Sequence, residues 1–228
     1  MGRRGGQALM EREGEESRQA AGRALAAPLQ PYAGPDVLVV GVSRGGILVG
    51  LEVARALGAP FEPLAIQTLS DPAQPAHTAG VLVEPDYVAL TAGADEPAPL
   101  PERLRSVVAQ GLEDVRRRGA LYRGGHPQQD VSGRRLIVVS DGASTGTTLR
   151  GVVASLRGRG AREIIVALPV GPAGVIADLG ERADQVVHLA TPAHLIAQQS
   201  HYPQPREVDD DEIARLVREA NGPAAPAL

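Results

Sequence analysis

The stretch Leu136-Ile137-Val138-Val139-Ser140-Asp141-Gly142-Ala143-Ser144-Thr145-Gly146-Thr147-Thr148 decides how this chain reads. An apolar run behind arginines predicts a buried strand over 135–139. The pattern then breaks into an acid and small residues, and helical spacing resumes over about 147–157. A strand feeding such a loop places the unpaired N–H groups of a helix N-terminus at its carboxyl end, where open parallel sheets bind ligands. Gly142 and Gly146 let the backbone approach a ligand closely, and Ser144, Thr145, Thr147 and Thr148 add hydroxyls. The stretch is an anion cradle without a lysine, and Asp141 before it suits a group that accepts hydrogen bonds from sugar hydroxyls. The plain alternative is a turn that caps an ordinary helix.

Working outward, 36–40 reads as a second buried strand after the breakers Gly34 and Pro35, and it runs into the turn Ser43-Arg44-Gly45-Gly46. There a strand end delivers a guanidinium, Arg44, together with two glycines whose N–H groups can face phosphate oxygens. A helix over 47–57 stops at Gly58, and a strand is expected over 61–66. The segment 67–101 is rich in proline (72, 75, 85, 97, 99 and 101) and reads as an extended excursion with a hairpin at 79–83 and 87–91. Leu100, Leu104, Val107, Val108, Leu112 and Val115 recur at helical spacing, giving a helix expected to end in Arg116-Arg117-Arg118. Strands follow at 163–168 and 185–189. Asp209-Asp210-Asp211-Glu212 loads the first turn of a last helix with acid, so a metal site need not be invoked there. An amphipathic helix is expected over 17–29. Alternating strands and helices predict an α/β fold with a mostly parallel sheet flanked by helices, plus extra N- and C-terminal helices. The domain is expected over 17–220, with 1–16 a flexible arm and 221–228 a flexible tail.

Composition narrows the chemistry. The 228 residues carry a net charge of −4, which argues against a nucleic-acid partner. With no cysteine, disulfides, thiolate catalysis and Cys-ligated metals are excluded. Every basic residue is arginine, so no Walker, Schiff-base or pyridoxal lysine is available. Aromatics are only 2% of the chain, leaving Val, Leu, Ile and Ala to build the core. No apolar run is long enough to span a bilayer and no leader is legible, so a soluble, cytoplasmic protein without a membrane partner is expected.

The 136–148 stretch resembles the thirteen-residue phosphoribosyl diphosphate signature of the type I phosphoribosyltransferases. That signature usually carries two adjacent acids, and here the first acid position holds Ser140. The resemblance extends to Arg18-Gln19-Ala20-Ala21-Gly22-Arg23-Ala24-Leu25-Ala26, to Ser43-Arg44-Gly45-Gly46, to Leu121-Tyr122-Arg123-Gly124-Gly125-His126-Pro127 and to the Asp-rich last helix. Together these segments resemble the bacterial "predicted phosphoribosyltransferase" subgroup over about 17–220. The resemblance implies that Asp141 is the catalytic residue and binds the ribose hydroxyls, with Ser140 beside it in the site. Gly142, Ala143, Ser144, Thr145, Gly146 and Thr147 would hold the 5′-phosphate, and Ser43, Arg44, Gly45 and Gly46 would form the diphosphate loop. Magnesium (Mg2+) would arrive mainly on the ligand's diphosphate, with water and Asp141 completing its shell. The implied reaction is phosphoribosyl transfer from phosphoribosyl diphosphate to an acceptor such as a nucleobase, a glycosyltransferase step of nucleotide metabolism. A hood over 169–178 and 192–202 would recognise the acceptor, and a homodimer is expected by analogy.

Two other readings stay open. Ser140 removes one carboxylate, and Gln67-Thr68 stands where the subgroup tends to have an Arg-Lys pair. A non-catalytic phosphosugar- or nucleotide-binding protein on the same fold therefore competes. Gly41-Val42-Ser43-Arg44-Gly45 also fits the G-x-S-x-G nucleophile elbow, and Asp141 with His188, His194 or His201 would give the serine-hydrolase order. Against that reading, no strand precedes the one at 36–40. The histidines at 77, 126, 188, 194 and 201 have no metal-ligand spacing.

Overall fold

The computed structural model describes residues 14–91, 100–191 and 208–221. The expected N-terminal arm before residue 14, the tail after 221 and the hood segment 192–202, with His194 and His201, lie outside the described residues. The chain builds α1 (Gly14–Leu29), β1 (Val37–Val42), α2 (Ser43–Leu57), β2 (Phe61–Leu64), β3 (Ile66–Asp71), β4 (Gln74–Val83), β5 (Tyr87–Leu90) and α3 (Arg105–Arg123). It continues with β6 (Arg135–Val139), α4 (Thr147–Gly158), β7 (Glu163–Val170), α5 (Ala173–Gly180), β8 (Gln185–Ala190) and α6 (Asp210–Asn221).

Five strands form a parallel sheet in the order β2-β1-β6-β7-β8. Alternate residues of β1, β6 and β7 separate two cores. Val37, Val39, Ile137, Val139, Ile165 and Ala167 pack with residues of α1, α2, α3 and α6. Leu38, Val40, Leu136, Val138, Ile164 and Val166 pack with α4 and with Val81 and Val83 of β4. Both faces being covered explains why the strands read as unbroken apolar runs. The α/β architecture expected from the sequence is therefore the one observed.

Strand order places the site. From β1 the chain crosses through α2 to β2 on one side, and from β6 it crosses through α4 to β7 on the other. The loops leaving adjacent strands β1 and β6 thus diverge, opening a crevice at their carboxyl ends. No helix among the described residues is long and apolar enough to cross a membrane.

Several boundaries differ from expectation for local reasons. Helix α2 begins at Ser43 rather than 47, so the 43–46 turn is its first turn; Val42 is extended and Ser43 takes a left-handed φ of 62°. The strand expected over 61–66 divides at Ala65, whose N–H is taken by the Glu84 carboxylate at 2.9 Å instead of continuing one ladder. Residues beyond that break form β3, which joins β4 and β5 in a second, antiparallel sheet; the expected hairpin is its β4–β5 half. Helix α3 runs five residues past Arg118, because Gly119 admits the Glu84 carboxylate and Tyr122 is buried beyond it. Its arginine triplet is therefore not a helix end. Arg116 donates to the Pro85 carbonyl, Arg117 to Asp114 and Arg118 to Gln67. Residues 169–178 divide between β7 and the unforeseen helix α5, too short for its apolar spacing to stand out.

Candidate functional site

Because β1 and β6 are neighbours in register, Ser43 and Ser140 leave the sheet side by side. Between them lies a cleft of about 340 Å³ lined by Ser43, Ser140 and Gly142 through Leu149, with Ile66, Thr68 and Thr78 from the antiparallel sheet. The two loops singled out in the sequence do meet in space, and the proline-rich excursion supplies a wall.

The cradle is built from below. Gly146, at a left-handed φ of 74°, precedes the first turn of α4 and reverses the chain where a side chain would be strained. Thr145 and Thr147 bring their hydroxyls within 3.2 Å of each other. Arg150, one turn into α4, braces the loop by donating to the Thr145 carbonyl at 3.1 Å and to Asp178 of α5 at 3.1 Å. Ser140 turns its hydroxyl onto the Gly142 carbonyl at 2.8 Å, closing the loop from within. Ala143 is buried and anchored by its N–H to the Val170 carbonyl.

Asp141 lies beneath this surface. It is 8% exposed, and Arg18 of α1 donates from Nε to its Oδ2 at 3.2 Å. Burial pushes its carboxyl above the usual range, and the Arg18 guanidinium opposes that rise. Gly45 is the other wall: a Cβ there would sit 1.9 Å from Oδ2, so only glycine leaves the carboxylate its place. A Cβ on Gly46 would sit 2.6 Å from the Val139 carbonyl oxygen and 3.0 Å from the Ser140 Cα, so its absence seats the first turn of α2 directly on the β6 loop.

Arg44 does not line the cleft. Its Nε donates to Oδ1 of Asp210 at 2.8 Å, and Tyr122 donates its hydroxyl to the same oxygen at 2.6 Å. Burial alone would raise the Asp210 carboxyl, but these two bonds hold it below the usual range. Burial and the Asp210 bond push the Tyr122 hydroxyl up to about 12. Asp209 caps α6, accepting the Glu212 N–H at 2.8 Å.

Among the described residues no three of His, Cys, Asp and Glu converge as metal ligands. At this loop no second carboxylate stands at position 140, and that of Asp141 is ion-paired with Arg18. An ion carried by a ligand's diphosphate would enter with its own oxygens and waters. His188 is exposed on the edge strand β8, three strands from β1. His126 lines a separate cavity of about 520 Å³ with Phe61, Glu62 and Arg123. Neither lies beside Ser43 to act as its base.

The sequence does not mark Arg18 and Arg150 as site residues. Arg18 lies in the segment 18–26, but nothing in its spacing says that α1 would reach Asp141. Arg150 reads as an ordinary helix arginine until α5 is placed beside it.

This crevice, with its Gly/Thr cradle at the head of α4, lies at the carboxyl ends of the strands of a doubly wound sheet, where such sheets bind their ligands. A phosphoribosyl transferase domain model matches residues 13–196, and the chain belongs to that family. It is 32% identical over 213 residues to the Mycobacterium tuberculosis protein named "Putative phosphoribosyl transferase Rv0571c", covering 93% of this chain and 48% of that one. The chain thus spans about half the length of the curated relatives it matches. Among solved structures, TT1426 from Thermus thermophilus superposes with a TM-score of 0.72 at 28% identity, covering 90% of this chain and 98% of that one. AQ2163 from Aquifex aeolicus shares the fold alone, with a TM-score of 0.54 at 10% identity, covering 87% and 88% of the two chains.

Proposed function

We propose that the cleft binds phosphoribosyl diphosphate and that the chain transfers the phosphoribosyl group to a nitrogen nucleophile such as a nucleobase. The observation that carries this reading is the meeting of Ser43 and the 140–149 loop on one cleft. N–H groups at the start of α4, with the hydroxyls of Thr145 and Thr147, would hold the 5′-phosphate. Those of the first turn of α2 would face the diphosphate. Asp141 would accept from the ribose hydroxyls.

In the reaction the bond from the anomeric carbon to the diphosphate oxygen breaks, and the diphosphate leaves with the electron pair. The acceptor nitrogen bonds to that carbon and releases its proton to solvent. This chain's contribution is positioning, donation to the leaving group's developing charge and exclusion of water by the antiparallel sheet. Magnesium, when it arrives on the diphosphate, supplies charge neutralisation there. Calorimetric titration with phosphoribosyl diphosphate, with and without magnesium and beside an Asp141→Ala control, tests the reading. Magnesium-dependent binding that the control loses supports it; no binding at millimolar ligand overturns it.

A second reading, binding without turnover, is favoured by one feature. The charged side chains of both loops, Arg44 and Asp141, are engaged in ion pairs within the protein. Diphosphate release assayed over a panel of nucleobases separates the two, since a binder that never releases diphosphate is not a transferase.

A further inference from the structure

We propose that Arg18 is a positioning residue of the phosphosugar cleft, fixing the one carboxylate that would read the ribose hydroxyls. The role rests on the reading of the cleft given above. Arg18 lies on α1, 123 residues from Asp141 in the chain, yet both side chains of the pair are only 10% exposed. Burying two charges costs most or all of what their attraction returns, so stability alone is a weak reason to place such a pair here.

Its geometry supplies a better reason. Where the family signature has two acids, this chain has Asp141 and a serine whose hydroxyl is turned onto its own loop. One carboxylate is left to do the recognition, and a carboxylate presents several acceptor directions unless its plane is set. Here it is set from two sides: Arg18 takes Oδ2 at 3.2 Å, and the bare backbone of Gly45 leaves a slot no wider than the carboxylate. The guanidinium also offsets the charge of Asp141 beneath the cleft, which weakens its repulsion of an incoming phosphate.

Titration of the full chain with ribose 5-phosphate and with 2-deoxyribose 5-phosphate tests this, because the two differ by one hydroxyl. Wild-type protein is expected to prefer the ribose form by about tenfold, the worth of one hydrogen bond. Arg18→Gln should bind both forms alike, and Arg18→Lys should recover part of the preference. Arg23→Gln, which breaks the more exposed pair between α1 and Glu52 of α2, should leave it unchanged. Thermal melts establish that each variant is folded; if Arg18→Gln is not, a reduced preference in folded Arg18→Lys carries the test.

Arg18→Gln that keeps the wild-type preference, or weakens both ligands equally, overturns the positioning role and leaves the cradle standing. Wild-type protein that binds both sugars without preference does the same. Wild-type protein that binds neither overturns the cleft reading and this role with it.

Discussion

One oxygen of Asp210, Oδ1, accepts from both the Arg44 guanidinium at 2.8 Å and the Tyr122 hydroxyl at 2.6 Å, tying the first turns of α2 and α6 to α3. The pair holds the cation of the β1 loop away from the cleft that its neighbour Ser43 lines. Asp210→Asn should release it. Because the pair is partly exposed, the cost in stability should be small, about 1 kcal/mol or less. Affinity for phosphoribosyl diphosphate should rise about fivefold by calorimetry, since a freed guanidinium can pair with the leaving group. A fall in affinity would mean that Arg44 works from where it now lies.

Gly45→Ala probes the opposite wall. Its Cβ would stand 1.9 Å from Oδ2 of Asp141, so the carboxylate or the first turn of α2 must shift. Ligand affinity should drop about tenfold or more while the melting temperature falls by a few degrees. Unchanged affinity would show that Asp141 takes no part in binding.

Ser140→Asp restores the second acid of the family signature. The exchange removes the hydroxyl's bond to the Gly142 carbonyl and adds a second negative charge beside Asp141, with Arg18 their near cation. The ratio of affinities measured with and without magnesium should therefore rise several-fold, as the paired carboxylates gain the means to hold the ion's waters. An unchanged ratio would show that this position does not limit the metal's use.

A pH effect should come from a cluster away from the cleft. Arg123 pairs with Glu62 and Glu84, which are buried at the junction of the two sheets. Burial pushes the Glu62 carboxyl up to about 7, above its ordinary 4.5, and raises Glu84 as well. A raised folded-state value means the native protein holds the proton more tightly than the unfolded chain. This contribution is full below about 4.5 and is lost as pH rises through 7. Glu62→Gln should remove much of that slope, on the order of 3 kcal/mol across the window, in thermal melts between about pH 4.5 and 8. A variant whose slope matches the wild type would refute this assignment.

The parallel sheet and the cradle were legible because each rests on a local pattern. Val37 to Val40 and Leu136 to Val139 are buried on both faces, so their apolar runs are unbroken, and the glycines and hydroxyls after residue 140 follow in order. What the sequence hid depends on pairs far apart in the chain. Nothing near Arg44 says that Asp210 would claim it, and nothing near Ala65 says that the Glu84 carboxylate would end one strand and begin another. The acids of 209–211 all suit a helix start by their place in the sequence. Asp209 serves that purpose, while Asp210 reaches across to α2 and α3.

The span of the Arg44–Asp210 pair also bears on the order in which the molecule is made. The arginine is synthesised 166 residues before its partner, so a nascent chain can form β1, the cradle and both cores' central strands while that guanidinium is still uncommitted. Docking of α6 is then the step that commits this guanidinium to Asp210. A ribosome-bound intermediate and the finished protein would differ there even with the sheet already complete.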